Sequence, residues 1–136
     1  MGETVSNVGN GGLDGTEIDI MESAYYNDKK INHALHWDGY DVNHRSVGNS
    51  SKADIYDGKF HTYALLWTEK EYVFFIDGKK SWETNASSAL GVCRVPLYMK
   101  ITSEMGSWTA TQGLDPDKLP DCMLVDYVKV YSVKEK

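Results

Sequence analysis

Three carboxylates stand within six residues at Glu17–Glu22, read as Glu-Ile-Asp-Ile-Met-Glu. Their alternation with Ile18, Ile20 and Met21 has the period of a strand and not of a helix. In a regular strand Glu17 and Asp19 share a face and Glu22 falls on the other, unless one extra residue is inserted. A β-bulge near Ile20 and Met21 is therefore predicted, because it brings all three acids to one side. With it, the α-carbons of Glu17 and Glu22 lie about four strand steps apart, roughly 13 Å, and side chains leaning inward leave ~5 Å between carboxyls. At that separation one carboxylate attacks the anomeric carbon of a sugar while the other protonates the leaving oxygen. Taken alone, the same run would more often be a solvated acidic edge. The elements around it decide between the two.

The chain has 136 residues, enough for one domain with a real core. Its net charge of −6 and pI near 5.1 argue against nucleic acid or an anionic membrane as partner, and suit a neutral polysaccharide. Nine Tyr and four Trp fit an all-β protein with surfaces on which sugars stack, although most such rings fill cores. Apolar runs such as Tyr72–Ile76 are too short to span a bilayer, and no signal-peptide core follows Met1. Two cysteines, Cys93 and Cys122, permit one disulfide at most and are read as free thiols.

Residues 1–16 are rich in Gly, Asn and Ser and read as a loop leading into the acidic strand. Ala24–Lys30 reads as a turn and Ile31–Asp38 as the next strand, with Ala34, His36 and Asp38 on one face and His33, Leu35 and Trp37 on the other. Gly39–Ile55, with little periodicity, is expected to be a long surface loop. Phe60–Trp67, Glu71–Ile76 and Lys79–Glu83 read as an antiparallel meander, with Asp77-Gly78 as the tight turn of its second hairpin. Val95–Met105 and Met123–Tyr131 are expected as further strands, giving about seven strands and no helix. Short strands separated by turns predict a β-sandwich.

Glu-Ile-Asp-Ile-Met-Glu resembles the Glu-x-Asp-x-x-Glu signature of glycoside hydrolase family 16, whose members include laminarinases, agarases, carrageenases and, with a form one residue shorter, lichenases. The stretch Phe-His-Thr-Tyr-Ala-Leu-Leu-Trp followed by Asp-Gly-Lys resembles the concanavalin-like superfamily. The resemblance implies an all-β, concanavalin-like jelly-roll β-sandwich. It covers residues 14–136 and matches the second part of a usual family member, so that a single domain over 1–136, an incomplete or truncated version, is expected.

Carried over residue by residue, the resemblance makes Glu17 the nucleophile, Asp19 the assisting acid and Glu22 the general acid/base. His36 lines the cleft beside the nucleophile. Thr102 and Glu104 lie on a strand along the cleft floor, and Trp108 is read as a stacking platform for a sugar ring. No cofactor is required, and Asp126 matches a residue that binds a structural calcium in some relatives. The longer signature resembles laminarinases and galactan-cleaving members, which implies a retaining endo-β-glycosidase on a β-1,3- or β-1,3(4)-glucan. Without an Arg or Lys cluster around the acids, a sulfated substrate is less favoured and an agarose-type galactan stays open. A carbohydrate-binding or inactive truncated β-sandwich module of the same superfamily is the alternative. A secreted or extracellular setting follows from the resemblance, and an incomplete sandwich would pair or swap strands with a second copy.

Overall fold

A computed structural model describes residues 7–23, 29–85, 91–103 and 116–133. Six strands are found there: β1 (Glu17–Glu22), β2 (Lys30–Trp37), β3 (Arg45–Lys52), β4 (Tyr63–Trp67), β5 (Glu71–Ile76) and β6 (Lys79–Asn85). They form two antiparallel three-stranded sheets, in the orders β1-β2-β3 and β4-β5-β6. The chain divides into two compact units, Met1–Lys100 and Ile101–Lys136.

Both sheets belong to the first unit, where β1 of one sheet meets β4 of the other and β3 meets β6. β2 alternates as its sequence demands, with Ile31, His33 and Leu35 buried and the residues between them half-exposed. β5 supplies the opposite wall through Tyr72, Val73, Phe74 and Ile76. Leu35, Tyr72, Phe74, Val92 and Cys93 form the central cluster, with Ile18, Trp37, Leu65, Trp67 and Trp82 packed around it. Removing a ring such as Phe74 from a packed core costs about 3–5 kcal/mol. The segment after β6 is tied in by polar contacts as well. The Cys93 amide donates to the Tyr72 hydroxyl at 2.6 Å, and Trp67 Nε1 donates to the Cys93 carbonyl at 3.0 Å. The Gly91 and Arg94 amides donate to the carbonyls of Gly11 and Leu13 in the loop before β1.

The hairpin between β5 and β6 forms as its sequence predicts. Asp77 and Gly78 have φ of 50° and 73°, the left-handed pair that a two-residue turn between right-twisted strands requires. The expected bulge in β1 is also present. Asp19 pairs with Ala34 and Glu22 with Asn32, so Ile20 and Met21 together oppose His33 alone.

Two expectations are corrected. Arg45–Lys52 is a strand and not a loop: its polar sequence has no apolar alternation, yet it pairs residue for residue with β2. Gly48 permits the close approach, because a β-carbon there would stand 2.6 Å from the His33 carbonyl oxygen. Conversely, the described parts of the expected strands, 95–103 and 123–131, carry no strand. Sequence alternation makes a strand only where a partner accepts its ladder hydrogen bonds, and none does so among the described residues. In the second unit, described over 101–103 and 116–133, Pro116–Lys118 forms a short 3-10 turn and residues 121–133 are exposed. Both cysteines are free thiols, Cys93 buried and Cys122 exposed. No helix among the described residues is long and apolar enough to cross a membrane.

Candidate active site

The register across the first sheet sets three rows on one face. Glu17, His36 and Ser46 form the first, Asp19, Ala34 and Gly48 the second, and Glu22, Asn32 and Ser50 the third. The middle row carries almost no side chain beyond Asp19. The result is a trough across the strands, a groove of about 310 Å³ lined by Glu22, Asn32, Ala34, His36, Ser46, Gly48 and Ser50 among others. One bank is firm, since Ser50 Oγ donates to Asn32 Oδ1 at 2.6 Å. Glu22 reaches this face only through the bulge, because an unbulged β1 would turn it to the other side.

Burial sets the electrostatics. Burial first, then the charges of Glu22 and Glu17, push the Asp19 carboxyl up from its ordinary 3.8 to about 7. Burial and the Glu17 charge raise Glu22 as well. The large rise falls on Asp19, whose side chain is 17% exposed. Glu17 Oε2 is buried and makes no hydrogen bond among the described residues. Such an atom is costly to keep, and a catalytic role is one reason a fold keeps it.

His36 stands where the sequence places it, beside the nucleophile candidate. Its Nε2 lies 3.4 Å from Asp19 Oδ2, and its Nδ1 lies 2.9 Å from Nε2 of His44. Burial lowers the proton affinity of His36; the Glu17 charge opposes that and His44 adds to it. A neutral His36 either donates to His44 or accepts from it at Nδ1, while its Nε2 stands within ion-pair range of Asp19. Tyr40 stacks on both rings, with centroids 6.1 Å from His36 and 5.2 Å from His44. Sequence reading missed Tyr40 and His44 because it treated 39–55 as featureless; Tyr-x-x-x-His directly after a strand carrying His36 was the available signal.

Four further site residues are expected from the sequence: Thr102, Glu104, Trp108 and Asp126. Glu104 and Trp108 lie outside the described residues. Thr102 is exposed and falls in the second unit, so it is described apart from the site. Asp126 lies in the exposed 121–133 segment. Among the described residues no three His, Cys, Asp or Glu side chains converge as metal ligands.

With this geometry established, comparison with known proteins is decisive. The model of glycosyl hydrolases family 16 matches residues 4–129. The chain belongs to this family. Over 130 residues it is 29% identical to a beta-glucanase of Rhodothermus marinus, covering 87% of this chain and 45% of the relative. It is also 29% identical, over 119 residues, to the endo-1,3-1,4-beta-glycanase ExsH of Rhizobium meliloti (strain 1021), covering 86% of this chain and 24% of that protein. The chain thus spans less than half the length of either. Among solved structures it resembles a Bacteroides ovatus family 16 protein of a mixed linkage glucan PUL (MLGUL), in complex with G4G4G3G product. That match has a TM-score of 0.52 and 27% identity over 65% of this chain and 39% of that one. The two antiparallel sheets are the family 16 jelly-roll architecture, and the bulged acidic strand lies within the matched span.

Proposed function

We propose that this chain carries the catalytic strand of a retaining endo-β-glycosidase acting on a β-1,3- or β-1,3(4)-glucan. The observation that supports this reading best is the bulge, which sets Glu17, Asp19 and Glu22 on one face beside a trough of small side chains. Glu17 attacks the anomeric carbon as Glu22 transfers its proton to the leaving glycosidic oxygen, which forms a glycosyl ester on Glu17 and frees the reducing-end fragment. Glu22, now ionised, takes a proton from water, and the hydroxide equivalent displaces Glu17 from the anomeric carbon with a second inversion. The raised proton affinity of Glu22 suits the first of these steps. Asp19, holding a proton near neutral pH, spares Glu17 and Glu22 a third negative charge.

The names of the relatives favour a glucan with β-1,3 linkages. A polymer of that kind is met outside the cell, and the working protein acts there. Purified chain is expected to release reducing ends from laminarin or barley mixed-linkage glucan, and Glu17→Gln is expected to abolish the release without changing the fold. Binding without release by a well-folded chain would instead make it a carbohydrate-binding module, and release from agarose alone would move the substrate to a galactan.

A further inference from the structure

The bulge that the chemistry needs is an unfavourable local structure. It inserts a residue into β1, interrupts the ladder and leaves backbone groups of Ile20 and Met21 without their regular partners. A buried carbonyl without a donor costs as much as a lost hydrogen bond, so something must hold this one. The residue that does so is the single β2 residue opposite the bulge. His33 Nδ1 lies 2.7 Å from the Ile20 carbonyl oxygen.

We propose that His33 is the positioning residue of this site: it clamps the Ile20 carbonyl released by the bulge and so keeps Glu22 on the face of Glu17 and Asp19. The proposal rests on the catalytic reading given above for those three acids.

The hydrogen bonding determines the state of the ring. A carbonyl oxygen can only accept, so Nδ1 carries the proton. Nε2 then accepts from Ser81 Oγ on β6 at 2.8 Å, and burial, which disfavours the charged ring, keeps the imidazole neutral. The ring is 1% exposed and packs on Phe74 of β5, with centroids 4.9 Å apart. Three elements therefore fix its position: β2 holds its backbone, β5 its face and β6 its far nitrogen. Its near nitrogen reaches the bulge from the core side, while the acids occupy the opposite, solvent-facing side. The His33 side chain is thus linked to the acids through one carbonyl. A core histidine serving only as filler would not need two oriented hydrogen bonds to different sheets.

The test uses the full chain and three variants. His33→Phe keeps the stacked ring and removes both hydrogen bonds. His33→Asn returns an amide N–H near the place of Nδ1. Ser81→Ala removes only the donor that orients the ring. Carboxyl carbon NMR follows the titration of Glu22 and Asp19, whose neighbours on that face are Glu17 and His36, and far-UV circular dichroism checks the sheets. Kinetics are read on the glucan that wild type hydrolyses. In His33→Phe, Glu22 is expected to titrate back toward the ordinary carboxylate range, Asp19 to fall with it, and kcat to drop about 100-fold at nearly constant KM, the effect of a displaced acid. His33→Asn is expected to restore most of both readouts, and Ser81→Ala to move them less but in the same direction. A folded His33→Phe with unchanged titrations and kcat overturns the proposal. Should that variant not fold, wild-type titrations and kcat in Ser81→Ala overturn it. If wild type hydrolyses no glucan while the Glu22 titration moves as described, the positioning role stands and the hydrolase reading fails.

Discussion

Two groups in the first unit pair aspartate with histidine, and they behave in opposite ways. In the trough, Asp19 faces His36, and burial raises the acid to about 7 and lowers the histidine. At the edge of the second sheet, His61 lies between two carboxylates, with Nδ1 2.8 Å from Asp77 and Nε2 3.0 Å from Asp57. There the hydrogen bonds dominate. Those from Lys59 and His61 hold Asp57 down at about 2, and those to Asp77 and Asp57 raise His61. The same residue types thus give a proton-holding carboxyl where burial outweighs hydrogen bonding and favour the charged forms where hydrogen bonds outweigh burial. The exposed group serves the fold, since Asp77 Oδ1 also accepts from the Thr62 amide and so ties the β5–β6 turn to the segment leading into β4.

That contrast is tested most severely by the acids on β1. Glu17→Gln is expected to lower kcat by at least ~1,000-fold, as loss of a nucleophile within a cooperating set does. Glu22→Gln should cost about 100- to 10,000-fold, and less on substrates whose leaving group needs no proton. Equal effects on both substrate types would contradict the acid role.

Asp19→Asn imitates the protonated carboxyl, so its loss of activity should be milder than that of Glu17→Gln, and its rate profile should lose the transition near pH 7. The same change bears on stability. Asp19 binds its proton more tightly folded than unfolded, so its favourable contribution is complete below pH 3.8 and is lost as pH rises through about 7. At about 1.4 kcal/mol per tenfold change in proton affinity, the ionised group costs the folded state up to about 4 kcal/mol. Asp19→Asn is therefore expected to melt several degrees above wild type at pH 8 and close to it at pH 4. An equal gain at both values would separate the effect from ionisation.

The smallest effect belongs to the exposed group. The contribution of His61 is present below about pH 6.5 and lost as pH rises through its raised value, whereas that of Asp57 is present above 3.8 and lost as pH falls toward about 2. His61→Gln should lower the melting temperature slightly at pH 5.5, not at all at pH 9, and leave kcat unchanged. High salt should reduce the difference.

Much of this was legible in the residues. The bulge followed from three acids that could share a face in no other way, and the turn at Asp77-Gly78 followed from two residues that tolerate positive φ. The β2 faces followed from simple alternation. Strand β3 was hidden because Arg-Ser-Val-Gly-Asn-Ser-Ser-Lys owes its conformation to hydrogen bonds with β2 and to the missing side chain of Gly48, neither of which shows as apolar period. Met123–Tyr131 erred the other way, since its alternation is clear and its described residues nonetheless carry no strand. The face that His36 shares with Ala34 was readable from alternation, and its pairing with Glu17 came from the register. His33 was placed on the correct face, but its bond to Ile20 depends on a backbone irregularity that no spacing rule reveals.

The most direct test of the central claim is time-resolved proton NMR of the first product released from mixed-linkage glucan or laminarin, read before mutarotation. Two successive displacements at Glu17 predict that the β-anomer appears first and the α-anomer grows in later. Initial release of the α-anomer would mean a single displacement by water, and would contradict the assignment of Glu17 as nucleophile.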